Sequence, residues 1–429
     1  AFPAAALPSA PSAAPRALPY RVGKWLPSDQ AVLDRWLADH IRAVAENPKP
    51  LHPVVQEFQA LIENDPTLYM YFHQMFEELP QKKQFQDDPT GKRQIRDYRH
   101  MLELINGVLT TAPAYNQSGL VGFPINAILD WPMATPGGFA AFLNDKVNAQ
   151  LKKILNTWGE FLNSSDSCAV LGDDPEHGWF GRDAQAAMPH FAEEFVCDPA
   201  KPHHGFTSWD NFFTRVFRDG QRPVAAPEDD GVIANACESA PFRVARNVKL
   251  RDRFWIKGQP YSLQHMFADD PVAEEFVGGT IYQAFLSALS YHRWHSPVSG
   301  KIVRVTHVDG SYYSETPAAG YDPSAPNDSQ GYITEVAARA IVLIEADDPR
   351  IGLMCFMPVG MAEVSTCEVT VAAGDHVAKG DPTGMFHFGG STHCLIFRPG
   401  VKLAFDLHGQ QPGLDSSNIP VRSAIARVK

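Results

Sequence analysis

Val369-Thr-Val371-Ala-Ala-Gly374-Asp-His-Val377-Ala-Lys-Gly380-Asp-Pro-Thr-Gly384 places valines and glycines at the spacing of short strands joined by tight turns. The segments upstream of it agree. Ala340 to Glu345, Leu353 to Pro358 and Cys367 to Val371 are brief β-branched or apolar runs ended by Gly, Asp or Pro, the pattern of buried strands. Val232 and Ile233 form another, and Tyr321 to Gln330 reads as a surface loop. The carboxyl-terminal half is therefore rich in β-structure.

Toward the amino terminus the period changes from two to 3.6. Ser28-Asp29 is an N-cap ahead of a stripe formed by Val32, Leu33, Trp36, Leu37, Ile41 and Val44. Comparable stripes predict helices over Pro53 to Glu63, Leu68 to Glu78, Lys92 to Leu109 and Phe139 to Leu162. Trp25, Trp36 and Trp158 fit core positions. Residues 1–28 hold six prolines and no acid, which predicts a disordered tail rather than an amphipathic targeting helix. The expected class is α+β: tail 1–28, helical region 29–200, β-rich domain 201–429.

The 429 residues are 44% hydrophobic and 20% charged, a globular composition. No run approaches the roughly 20 apolar residues that span a bilayer, so stable membrane insertion is not expected. With 37 Lys and Arg against 49 Asp and Glu, the net charge of −12 opposes nucleic acid as a partner. Six cysteines without a C-x-x-C pair indicate no metal cluster and fit a reducing cytoplasm.

Three short segments carry chemistry. In Phe388-Gly-Gly-Ser391-Thr392 the glycines leave the backbone bare, so Ser391 Oγ can approach the Gly390 carbonyl; taken alone, such a peptide is also an ordinary loop. In Tyr291-His-Arg-Trp-His-Ser-Pro297, His292 and His295 are three apart. A strand period of two cannot point both to one side, so one shared site requires a turn. Glu238, in Ala236-Cys-Glu-Ser239, is a carboxylate at a strand end that can orient a histidine.

These segments resemble the phosphatidylserine decarboxylase family. Phe206-Thr-Ser-Trp-Asp-Asn-Phe-Phe-Thr-Arg215 with Arg222-Pro223, Lys257-Gly-x-x-Tyr-Ser-Leu263, Tyr291 to Pro297 and Gly390-Ser391-Thr392 follow the family's motifs in chain order. Glu238-Ser239 departs from it, since the family has Asp-Gly there. The valine-glycine stretch is also similar to biotinyl and lipoyl carrier domains, although no lysine sits where a cofactor would attach. The resemblance implies that His295, oriented by Glu238, deprotonates Ser391, which attacks the Gly390 carbonyl. The amide becomes an ester, elimination frees the upstream carboxylate, and hydrolysis leaves a covalent pyruvoyl group at position 391 and ammonia. It implies that the two fragments stay associated, that substrate amine condenses with the ketone, and that His292 positions substrate or protonates product.

The mixed charges of the first helix (Asp34, Arg35, Asp39, Arg42) argue for a small-molecule amino acid rather than a lipid. Pro53 to Pro66, Phe161 to Asp166 and Gly384 to Ser391 resemble fungal family members acting on free aromatic amino acids, which implies L-tryptophan. The alternatives are a phosphatidylserine decarboxylase, a non-catalytic carrier module, and a serine hydrolase that would lack the usual G-x-S-x-G elbow.

Overall fold

The computed structural model describes residues 31–78, 95–116, 123–253, 259–287, 289–316, 329–363, 366–388 and 391–429. The expected tail, Trp25, the Ser28-Asp29 cap, Lys257-Gly258, most of the Tyr321 to Gln330 loop and Gly390 lie outside them. Among the described residues the helices of seven residues or more in the first half are α1 (Ala31–Glu46), α2 (Pro53–Asn64), α3 (Pro66–Glu77), α4 (Tyr98–Val108), α5 (Pro124–Met133), α6 (Pro136–Phe142) and α7 (Asp145–Leu162). Proline opens α2, α3, α5 and α6, where its missing N–H costs no helical bond.

Side-chain caps correct two of the expected boundaries. Asp97 accepts from His100 N at 2.8 Å, so α4 starts at Tyr98 and not at Lys92. The single helix expected over Phe139 to Leu162 is two, because Asn144 interrupts it and caps α7 by accepting from Lys146 N and Val147 N. Gln330 is likewise no loop residue: it is buried and opens a short helix, Gln330–Val336.

One apolar core joins these helices. Phe58, Phe72, Leu102, Ile105, Ile154 and Trp158 are buried in it together with Phe206, Trp209, Phe212, Phe213 and Phe217. Trp158 is thus a core residue, whereas Trp36 packs partly buried at the rim and stacks on His40.

The β-half is organised by a seven-stranded antiparallel sheet in the order β2 (Ala240–Arg246), β3 (Thr280–Leu286), β11 (Ser391–Phe397), β7 (Leu353–Gly360), β6 (Arg339–Ala346), β5 (Gly300–Val308), β9 (His376–Val377). Two three-stranded sheets accompany it. One is β1 (Val232–Ala234), β13 (Ala424–Val428) and β12 (Leu403–Phe405); the other is β4 (Arg293–His295), β10 (Pro382–His387) and β8 (Thr366–Val369).

Alternation along β11 sends Leu395 and Phe397 into one core with Trp294, Phe356 and Phe386. Cys394 and Ile396 enter the other, against Leu263, Met266 and Ile333. Both faces of β11 are covered, which is why its seven residues are all buried. Gly374 and Gly380 have φ of 99° and 86°, the left-handed turns that the sequence required there.

Candidate active site

Ser391 is the first residue of β11, paired with Leu286 of β3 on one side and Gly360 of β7 on the other. It is fully buried, and its Oγ has no hydrogen-bond partner among the described residues. A buried hydroxyl left unpaired is costly and calls for an explanation. The chain reaches Ser391 from Phe388, whose ring is wedged between Trp158 at 4.8 Å, Trp209 at 5.3 Å, Phe213 at 5.6 Å and Phe123 at 6.2 Å. The helical core thus grips the segment that leads into the strand.

Both histidines of the Tyr-His-Arg-Trp-His segment are buried. His292 precedes β4. Its Nδ1 lies 2.7 Å from Ser290 O and donates to it, which fixes the tautomer, and its ring lies on Phe213 at 4.2 Å. Ser290 Oγ meets Ser287 Oγ at 2.9 Å, and Ser287 follows the strand partner of Ser391. A short hydrogen-bonded link thus connects the His292 segment to the head of β11.

His295 ends β4. Its Nδ1 is 2.9 Å from Gly380 O and its Nε2 is 2.8 Å from the Tyr291 hydroxyl. With Nδ1–H donating to the carbonyl, Nε2 accepts from Tyr291. Burial, then the Arg422 charge, pushes the imidazole down to about 4, so it is neutral, with its Nε2 lone pair engaged by the Tyr291 hydroxyl. Burial raises the Tyr291 phenol to about 12, so it stays protonated.

Two expected contacts are not made. The hydroxyl on His295 Nε2 belongs to Tyr291, not to Ser391. Glu238 does not orient His295 directly: Arg222 Nε lies 3.0 Å from both carboxylate oxygens and Nη2 donates to Oε1 at 2.8 Å. The physical reason is the guanidinium fork, which matches a carboxylate and binds it more strongly than a neutral imidazole can. Glu238 still supports the histidine at one remove. Its Oε2 accepts from Val421 N at 2.7 Å, and the next residue, Arg422, donates from Nε at 3.1 Å to Gly380 O, the carbonyl that holds the ring. The ring is oriented instead by Gly380 O.

Sequence reasoning assigned no role to Tyr291, Arg222 or Arg422, although the first two stand inside quoted motifs. It also passed over His393, which strand alternation puts on the Ser391 side of β11. That ring is fully buried near Phe356 at 5.9 Å and Tyr282 at 6.2 Å, and burial pushes it down to about 3. Among the described residues no group of three or more His, Cys, Asp or Glu could hold a metal ion. No helix among them is long and apolar enough to cross a membrane.

The fold is thus α+β, with a buried serine at the head of a central strand and two buried histidines in and just before β4. Sequence profiles described as phosphatidylserine decarboxylase match residues 52–188 and 209–417. The chain is 36% identical to an L-tryptophan decarboxylase of Psilocybe cubensis over 99% of both chains. It is 39% identical to an L-tryptophan decarboxylase of Psilocybe cyanescens over 88% of both. With the decarboxylase iboD of Amanita muscaria the identity is 43%, over 72% of this chain and 91% of that one. The chain belongs to the phosphatidylserine decarboxylase family, and so to the carboxy-lyases.

Proposed function

We propose that this chain is a self-processing decarboxylase of a free aromatic L-amino acid, converting L-tryptophan to tryptamine with a pyruvoyl group made from Ser391. The observation that carries the reading is the Ser391 hydroxyl, fully buried and unpaired at the start of a strand held on both sides. Those surroundings fit the group, because β3 and β7 would keep position 391 in place once its link to Gly390 was cut. When present, the group supplies an electron sink for the pair released as CO2 departs.

The remaining work falls to the chain's own side chains. His295 is the base for the Ser391 Oγ proton, taken when Nε2 exchanges the Tyr291 hydroxyl for Ser391. Gly380 O fixes the ring, and Glu238 and Arg222 anchor the 420–422 segment beside it. His292, held by Ser290 O and Phe213, positions substrate or protonates the product carbon.

Similarity along nearly the whole chain to two L-tryptophan decarboxylases supports the substrate. We place the catalytic domain at 201–429, downstream of a helical region 29–200, and the protein in the cytoplasm, where six free cysteines persist. The family description favours a second reading, phosphatidylserine as substrate; CO2 release from tryptophan against phosphatidylserine vesicles separates the two.

The experiment is intact-mass analysis of the purified protein and of Ser391→Ala. Expected are a 390-residue fragment and the remaining 39 of the 429 residues in the first, one chain in the second. An unbroken chain that still consumes tryptophan overturns the proposal.

A further inference from the structure

His387 ends β10, four residues before Ser391, so the chain between them spans at most about 14 Å. The steps above give this histidine no task, yet three consecutive residues here are fastened to other elements. Phe386 N donates to His292 O at 3.0 Å. The Phe388 ring lies among Trp158, Trp209, Phe213 and Phe123. Between them, His387 Nδ1 lies 3.0 and 3.1 Å from the two carboxylate oxygens of Asp210, and its Nε2 donates to Glu368 Oε2.

Carboxylate oxygens only accept hydrogen bonds, so a ring with a carboxylate at each nitrogen carries both hydrogens and is the imidazolium. Burial alone would favour the neutral ring, but Asp210 and then Glu368 outweigh it and hold the pKa above the ordinary 6.5. Asp210 reaches His387 from the short helix Trp209–Phe213. Glu368 reaches it from β8, where it pairs with Met385 on the same side of β10. Arg293 of β4 pairs with Met385 as well, but its Nε is turned to Thr214 O at 2.6 Å. Side-chain exposure falls from 49% at Glu368 to 27% at His387 and 11% at Asp210, so the inner ion pair is the one shielded from solvent and salt.

The backbone just after this cluster is strained. Phe388 has a φ of 23°, a left-handed conformation that a bulky residue keeps only where its surroundings impose it. One short helix grips both sides of it: Trp209 meets the Phe388 ring, and the next residue, Asp210, holds His387. We propose that His387 is a positioning residue for self-cleavage, an ionic clamp between Asp210 and Glu368 that fixes the course of the chain into the Gly390–Ser391 peptide. It touches no reacting atom. Loss of its proton takes the donor from one carboxylate, slackens the clamp and slows the cut.

The inference rests on the self-processing reading above. Its test follows cleavage of the full chain, made by cell-free translation and shifted to buffers from about pH 5 to about pH 10. The unmodified chain should hold its rate past pH 6.5 and then drop at least about tenfold to a lower plateau, the scale of one charge-assisted hydrogen bond. His387→Gln should cleave at the lower rate throughout, and His387→Arg, charged across the range, should show no drop. Glu368→Gln, at a half-exposed position, should bring the drop to lower pH. Unchanged cleavage in His387→Gln overturns the proposal. So does a drop at the original pH in Glu368→Gln, an arm that stands even if His387→Gln does not fold. Lower urea stability of a Glu368→Gln, Ser391→Ala chain without that shift in pH would mark a merely structural contact, and it overturns the proposal too. Cleavage of the unmodified chain at one rate across the range overturns this inference and leaves self-processing standing, whereas an unmodified chain that never cleaves overturns both.

Discussion

The two histidines separate at the level of single side chains. His292 touches Phe213 and Ser290, and His295 is fixed by Gly380 and Tyr291, so their substitutions should differ in effect. His292→Ala should leave fragment formation largely intact while abolishing CO2 release; loss of cleavage in this variant would contradict the assignment. His295 also titrates in a known direction. Its folded pKa, about 4, lies below the ordinary 6.5, so the unfolded chain binds the extra proton first. Its stabilising contribution is therefore full above pH 6.5 and is lost as the pH falls toward 4, by about 3 kcal/mol in all. Urea unfolding of Ser391→Ala across this window should show the loss, and His295→Gln should flatten it. Glu363, with its pKa raised to about 8, has the opposite sign: stability falls as the pH climbs from 4.5 to 8.

At the scale of elements, the 420–422 segment is held to the β1–β2 connection by Arg422 N on Asn235 O at 2.9 Å and Val421 N on Glu238 Oε2 at 2.7 Å, and Arg222 fixes that carboxylate by an ion pair. Glu238 and Arg222 are both largely buried, with side-chain exposures of 11% and 19%. Removing one partner strands the other charge, so Arg222→Ala should cost about 3 kcal/mol in urea unfolding. A loss near zero would mean that the pair is solvent-screened. Asn144, which divides α6 from α7, is a smaller case. Asn144→Ala should destabilise by about 1 kcal/mol, the ordinary value of an N-cap, with cleavage unaffected.

For the whole molecule, the question is what keeps a cut chain together. β11 lies inside the seven-stranded sheet, and β13, which also follows the proposed cut and carries β12 on its far edge, pairs with β1 upstream of the cut. The short fragment should therefore co-elute with the long one in size-exclusion chromatography and part from it only in denaturant. Phe388 ties the helical core to the strand through four aromatic neighbours. Phe388→Ala should cost about 3–5 kcal/mol and slow cleavage as well, measured by urea unfolding and fragment yield.

Periodicity alone determined the helical first half, the buried β6 and β7 and the turns at Gly374 and Gly380, because each depends on interactions among near neighbours in the chain. The motifs likewise singled out Ser391, His292, His295 and Glu238. Tertiary structure alone decided which groups meet. Arg222 takes Glu238 and Tyr291 takes His295 Nε2 because hydrogen-bond partners are chosen by competition among all groups in reach, and reach is set by the fold. Glu363 carried no signal in the sequence, since an acidic residue becomes an unusual one only when packing buries it, here against Asn126 at the start of α5.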